Sequence, residues 1–346
     1  WLEQRQQTAA ANQLVQQAQD LTNRKDYAGA VAVWRRILAM FPDHVAGWQE
    51  LTRCLQLQAL QVDAADPRRA ALLREALEAV RTALRLDPND LYTYQATATV
   101  LDDLGRREEA VVFLKEALRR GESKANVLAA LRRLMSYNTT ADSTPYLKAV
   151  AELDPGDAAV RDSLNRSLRA AARNQRLPAK DRLAAAQDLA ARAPGDADNQ
   201  ALLGAALLAA GSADKGRKAF AEAFRLAPGD YNLRAELGRS LEDAGDHAGA
   251  AAAYRQAISL AGPEVEAADR AALHSLLGLS LEGAKDLDGA YAGLRQGIAL
   301  APQEPVLHAL YAQFLERRSS LFAAEREFRM AAALAPDDAG CAKALA

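Results

Sequence analysis

At 346 residues, with 43 Lys and Arg against 45 Asp and Glu, the chain has a formal charge of −2, which excludes a global field drawing it to nucleic acid or an anionic membrane. Half of the residues are apolar but only 5% are aromatic; alanine is abundant and Val-Ile-Thr runs are scarce, which favours helices over sheets because Ala and Leu lose little rotamer entropy in a helix. No run of about 18 apolar residues occurs, so no direct membrane insertion is expected of this region.

In chain order, residues 1–10 read as a leading helix or the end of a preceding unit, and residues 11–196 as five irregular two-helix units. Pro42 closes the first of these, at about 11–44, with Ala30 and Trp34 in its second helix. Pro88 closes the second, which carries about twelve extra residues around QVDAADPRRAAL. The third covers 91–124 and contains Tyr94, Leu101, Gly105, Ala110, Leu114 and Ala117. The fourth ends at Pro155 with SYNTTADSTP between its helices, and the fifth ends at Pro194 with NQRLPAKD as its loop.

Residues 197–338 are more regular and divide at 197–230, 231–264, 271–304 and 305–338, with PEVEAADR lengthening one connection. Residues 339–346 read as the start of a further or capping helix. The chain opens at Trp1 and stops within the helical pattern AGCAKALA, so it reads as a fragment. Cys54 and Cys341 lie near opposite ends, too far apart in an elongated fold for a disulfide.

The regular part shows the logic of the unit. LGRSLEDAGDHAGAAAAYRQA, 237–257, repeats the offsets of LGAALLAAGSADKGRKAFAEA, 203–223. Gly238 is expected where two helices cross and a missing Cβ lets the backbones approach; Gly245 is expected to end the first helix with a positive φ. Parallel sets are Leu203-Gly204-Leu207-Phe220-Ala223-Pro228, Leu277-Gly278-Leu281-Ala290-Leu294-Pro302 and Tyr311-Ala312-Leu315-Ala324-Phe328-Ala331-Pro336.

A 34-residue unit with this succession is the signature of the tetratricopeptide repeat, and the chain resembles that family over nearly its whole length. The resemblance implies an all-α, right-handed superhelical solenoid of about nine helix-turn-helix units whose first helices make a concave wall. Two subtypes fit poorly. Val15 and Gln19 stand where the chaperone-binding type has Lys and Asn, and the sixth-position row (Gln16, Glu50, Ala96, Ala130, Leu202, Glu236, Leu276, Leu310) lacks the asparagine ladder of the nucleocytoplasmic sugar transferases.

No catalytic, cofactor-binding or metal-binding set emerges. His274 and His308 are one repeat apart, but both occupy the repeat's Trp position and have no Cys or carboxylate at ligand spacing, which favours a packing role. GSADKGRK, 211–218, lacks the Lys-Ser/Thr ending of a phosphate loop and follows a helix. Asn138-Thr139-Thr140 matches a glycosylation acceptor, relevant only in a eukaryotic secretory setting.

Partner-binding residues are therefore expected on the first-helix wall. In the early units these are Asn12, Gln19, Gln49, Arg53, Tyr92 and Gln95, whose amides and tyrosine suit an extended peptide or a carbohydrate. Arg133, Arg166 and Arg169 form an expected basic patch, with Arg173 and Arg176 at its rim. Toward the C-terminus, Glu242, Glu282 and Glu316 align, with Arg239 and Gln313 beside them, giving an acidic stretch for a basic ligand.

The function expected from this pattern is a non-catalytic scaffold or adaptor that binds a protein or peptide in its groove, without nucleic acid. One alternative is the periplasmic repeat region of a bacterial exopolysaccharide synthesis or export protein that recruits enzymes or guides an anionic glycan. Another is the substrate-recognition arm of a larger transferase. Self-association through the uncovered last helix is a further expectation. Bacterial periplasm and cytoplasm both remain open as compartments.

Overall fold

The computed structural model describes residues 2–137 and 142–335, and among them it has eighteen helices and no strand. The Asn138-Thr139-Thr140 acceptor, Pro336, Cys341 and the helix start at 339–346 lie outside the described residues. The chain divides into two compact units, Trp1–Leu164 and Asn165–Ala346.

In the first unit, α1 (Leu2–Asn23) pairs with α2 (Tyr27–Met40), α3 (Val45–Leu60) with α4 (Pro67–Leu86), α5 (Leu91–Asp103) with α6 (Arg107–Arg119) and α7 (Lys124–Tyr137) with α8 (Thr144–Leu153). α2 then packs on α3, α4 on α5 and α6 on α7, so these hairpins stack in chain order. The extra residues of the second hairpin lengthen its helices: α4 has 20 residues, begins at Pro67 and is capped by Asp66, whose side chain accepts from the Arg68 backbone N–H. The helix α9 (Ala158–Arg173) runs across the division at Leu164 and Asn165.

The second unit continues with α10 (Ala179–Arg192) and four hairpins: α11 (Ala197–Ala209) with α12 (Ala213–Leu226), α13 (Tyr231–Asp243) with α14 (His247–Leu260), α15 (Ala267–Gly283) with α16 (Leu287–Leu300), and α17 (Pro305–Arg317) with α18 (Leu321–Leu334). A shared core of Leu, Ala, Phe220, Tyr254 and Phe328 passes through all four.

Three local devices recur. The first is the crossing. A Cβ added at Gly238 would lie 2.7 Å from the Tyr254 ring, and one at Gly204 would lie 2.5 Å from the Phe220 ring. In the α15–α16 hairpin two glycines meet, since a Cβ on Gly293 would stand 3.0 Å from the Gly278 Cα. These contacts offset glycine's helix cost of roughly 1 kcal/mol.

The second device is the stop. Gly245 has φ +78°, with the Asp246 N–H donating to the Leu241 carbonyl at 2.8 Å and the Gly245 N–H to the Glu242 carbonyl at 2.9 Å. That is a Schellman closure, which satisfies carbonyls that the helix end leaves open. Lys285 and Ser319 make the same two bonds at φ 66° and 59° but carry a Cβ. Lys285→Gly and Ser319→Gly are therefore expected to stabilise the fold by about 1 kcal/mol each. A rise in the urea midpoint at unchanged slope checks this.

The third device ties each first helix to the turn before it. Trp48 Nε1, Tyr94 Oη and Gln200 Nε2 donate to the carbonyls of Pro42, Pro88 and Pro194, at 2.8, 3.3 and 3.1 Å. His308 Nε2 lies 3.1 Å from the Pro302 carbonyl in the same way. In all four the donor stands six residues after the proline, at the repeat's Trp position. The bond explains why the position accepts Trp, Tyr, Gln or His: each has a donor at the end of a flat side chain.

Candidate functional site

The two histidines at that position prove unequal. His308 is buried, with Nδ1 2.8 Å from Glu327 Oε2 and Nε2 on the Pro302 carbonyl. The two contacts hold the ring between α18 and the turn before α17. His274 is half-buried, and burial, reinforced by the Arg270 charge, holds its pKa below the ordinary histidine value. Among the described residues no group of His, Cys, Asp or Glu is arranged to hold a metal ion. Cys54 is buried against Thr22 Oγ1 at 3.5 Å, and burial pushes its thiol pKa up.

The expected early-unit residues differ in how far the fold already engages them. Asn12, Gln19 and Tyr92 are exposed. Gln49 donates to Asp90 and to Thr93 Oγ1, fastening α3 to the start of α5. Arg53 pairs with Glu50 at 2.5 Å, one turn back on its own helix, and Gln95 donates to Glu122 at 3.3 Å.

Of the expected arginines, Arg133 belongs to the first unit, and Arg166 and Arg169 to the second. Arg133 and Arg166 are exposed. Arg169 is engaged by Asp196 at 2.8 Å and Asn199 Oδ1 at 3.2 Å, which joins α9 to the start of α11.

The aligned glutamates are not an open acidic row. Glu242 bonds to His247 Nδ1 at 2.7 Å and accepts from Ser280 Oγ at 2.5 Å, linking its hairpin to α15. Glu282, whose side chain is only 12% exposed, receives Arg317 Nη2 at 2.7 Å and Arg318 Nη2 at 3.3 Å from α17 and its end. Glu316 and Gln313 are exposed. Glu242 and Glu282 are thus each engaged by groups on neighbouring helices.

The Arg317 bond, with Arg318 behind it, holds the Glu282 carboxyl below the ordinary glutamate range. A lowered folded-state pKa gives stability that is fully present above the unfolded value of about 4.3 and is lost as pH falls through the folded one. Glu282→Gln is expected to flatten the acid limb of stability against pH below about 4.3, read by urea melts from pH 7 to 3.

A cavity of about 480 Å³ lies in the second unit, between the end of α9, α10, α11 and α13. Its floor is alanine and leucine: Ala201, Leu202, Ala205, Ala206 and Ala209 from α11, with Leu233 from α13. Arg173 and Arg182 line it from α9 and α10, and Asp198, Glu236 and Asp243 line it from α11 and α13. Arg182 Nε is buried without a hydrogen-bond partner among the described residues. Arg239 also lines the cavity, paired with Glu236 at 2.7 Å.

Arg239 was expected here and Arg173 was expected nearby; Arg182, Asp198 and Asp243 were not. On α13 the lining face runs through Asn232, Glu236, Arg239, Ser240 and Asp243, so position 243 faces the cavity while 242 turns toward α15. A displacement of one residue, or about 100° of helix rotation, separates the two roles. Arg182 was hidden because second helices were not expected to reach this wall.

Comparisons with known proteins agree with the repeat. Residues 231–263 match the family profile described as Tetratricopeptide repeat. No curated protein matches the chain. Among solved structures, yeast Tom70 is 14% identical with a TM-score of 0.44, over 94% of this chain and 76% of that one. A MamA fragment from Desulfovibrio magneticus RS-1 is 20% identical with a TM-score of 0.41, over 53% and 98%. Cut9 and Hcn1, the APC/C hetero-tetramer, give 14% and 0.41, over 97% and 75%. The match over 231–263 falls on α13 and α14, so that hairpin is a tetratricopeptide repeat, and the glycine crossing, the Schellman stop and the turn-carbonyl bond recur in hairpins around it.

Proposed function

We propose that this chain is a non-catalytic protein-interaction scaffold, and that a segment of a protein partner docks in the α9–α13 cavity of the second unit. The observation that carries the reading is the cavity's construction: a small-residue floor for an apolar side chain, with Arg173, Arg182, Asp198 and Asp243 also in its lining to orient a polar backbone and its charges. Stacked repeats present such concave surfaces to their ligands. The unpartnered Arg182 Nε favours an acidic group at that side of the docked segment.

Ala205→Trp fills the floor without touching the charged walls. Affinity capture with wild-type chain as bait is expected to retain a partner that Ala205→Trp loses, while Arg133→Glu, in the first unit, retains it. Equal capture by wild type and a folded Ala205→Trp, checked by circular dichroism, would place the interface elsewhere.

A further inference from the structure

The hairpin beginning with α15 departs from its neighbours in one respect. The connection from α14 is lengthened, and the residue six before His274 is Ala268, already inside α15. His274 stands where Trp48, Tyr94, Gln200 and His308 each reach a proline carbonyl, yet it has no hydrogen-bond partner among the described residues. One turn earlier on the same face, Arg270 Nε is buried and also without a partner.

Both side chains line a cavity of about 230 Å³ between α14, α15 and α16. Gln296 joins them from α16, against a wall of Ile258, Leu273 and Leu300, and no carboxylate lines the space. A guanidinium Nε buried without an acceptor is costly, and three donor groups lining a space with no acidic neighbour are arranged to receive an acceptor.

We propose that this cavity binds a small oxyanion, a carboxylate or phosphate group held by Arg270, His274 and Gln296. The guanidinium supplies a planar fork suited to either group, and the imidazole and carboxamide close on it from the side and from the opposite helix. Arg270 is the charged group acting on His274; α14 and α16 contribute only Ile258, Ala261, Gln296 and Leu300. An anion seated between the two reverses the Arg270 effect and raises the imidazole pKa, so binding tightens as pH falls. The site is separate from the docking cavity, and its test does not depend on a partner.

The test is a titration of the whole chain with inorganic phosphate and, separately, with acetate, at constant ionic strength set by sodium chloride, following the His274 ring resonances by NMR. We expect saturable movement with at least one of the two anions, and the one that binds more tightly identifies the group the site takes. Arg270→Gln is expected to weaken that binding by about tenfold or more. Gln296→Leu, which leaves the charges intact, is expected to weaken it by about two- to tenfold, and it carries the comparison if Arg270→Gln does not fold. Resonances that respond to neither anion beyond the chloride control, or that titrate alike in wild type and the folded variants, would overturn the proposal.

Discussion

Tyr254→Ala is expected to lower the unfolding free energy by about 3–5 kcal/mol, the range for deleting a large buried aromatic side chain. Tyr254 is 1% exposed, and its ring closes on Gly238, where the α13 and α14 backbones cross. Burial pushes its phenol up to about 12, and the ring has neighbours rather than a hydroxyl partner to hold it. Tyr254→Phe should therefore cost less than about 0.5 kcal/mol, as changes that break no named interaction do.

Gly238→Ala alone is expected to cost about 1–3 kcal/mol by overpacking. In the Tyr254→Ala background the added methyl enters space the ring has left, so the two changes together should cost less than their sum. Urea melts of the four proteins measure the coupling. Strict additivity would mean that the ring and the glycine do not face each other.

Asp102→Ala is expected to cost about 3–5 kcal/mol, because it removes one partner of a buried charged set. Asp102 is 4% exposed; it accepts from the Tyr146 hydroxyl at 2.6 Å and lies 3.3 Å from Arg107 Nε, an atom with no other hydrogen-bond partner. The carboxylate thus joins the end of α5 to α6 and α8. Burial, and then the Asp102 bond, push the Tyr146 phenol pKa up, so the hydroxyl keeps its proton and donates. Tyr146→Phe, which leaves the Arg107 contact in place, should cost less, about 1–3 kcal/mol. Urea melts monitored by circular dichroism rank the two variants, and a smaller effect for Asp102→Ala than for Tyr146→Phe would contradict this account.

Much of the hairpin was legible because its determinants are local. Gly238 and Gly245 each have a meaning fixed by a few neighbours, and the structure gives both the expected role, one at a crossing and one at a positive φ. The same stop at Lys285 and Ser319 was not legible, since neither residue favours that conformation and only the closing bonds impose it.

The candidate site was legible only in part. Arg239, expected on the groove face, lines the α9–α13 cavity, whereas Glu242, three residues on, binds His247 and Ser280. Periodicity gives the face of a helix to within about one residue, and that uncertainty is the difference between facing a cavity and facing the next repeat. Asp102 was missed for another reason. Its buried role depends on Tyr146, 44 residues away.

The central claim, that a partner docks on the first-helix face of the second unit, is tested most directly by site-specific photocrosslinking. A photoreactive residue at Ala209, exposed and lining the α9–α13 cavity, is compared with one at Ala252, exposed on the second helix α14 and outside the cavity. The account predicts a crosslinked protein partner at 209 that is absent at 252 and is lost in the Ala205→Trp background. The same adduct at both positions, or one at 252 alone, would contradict it.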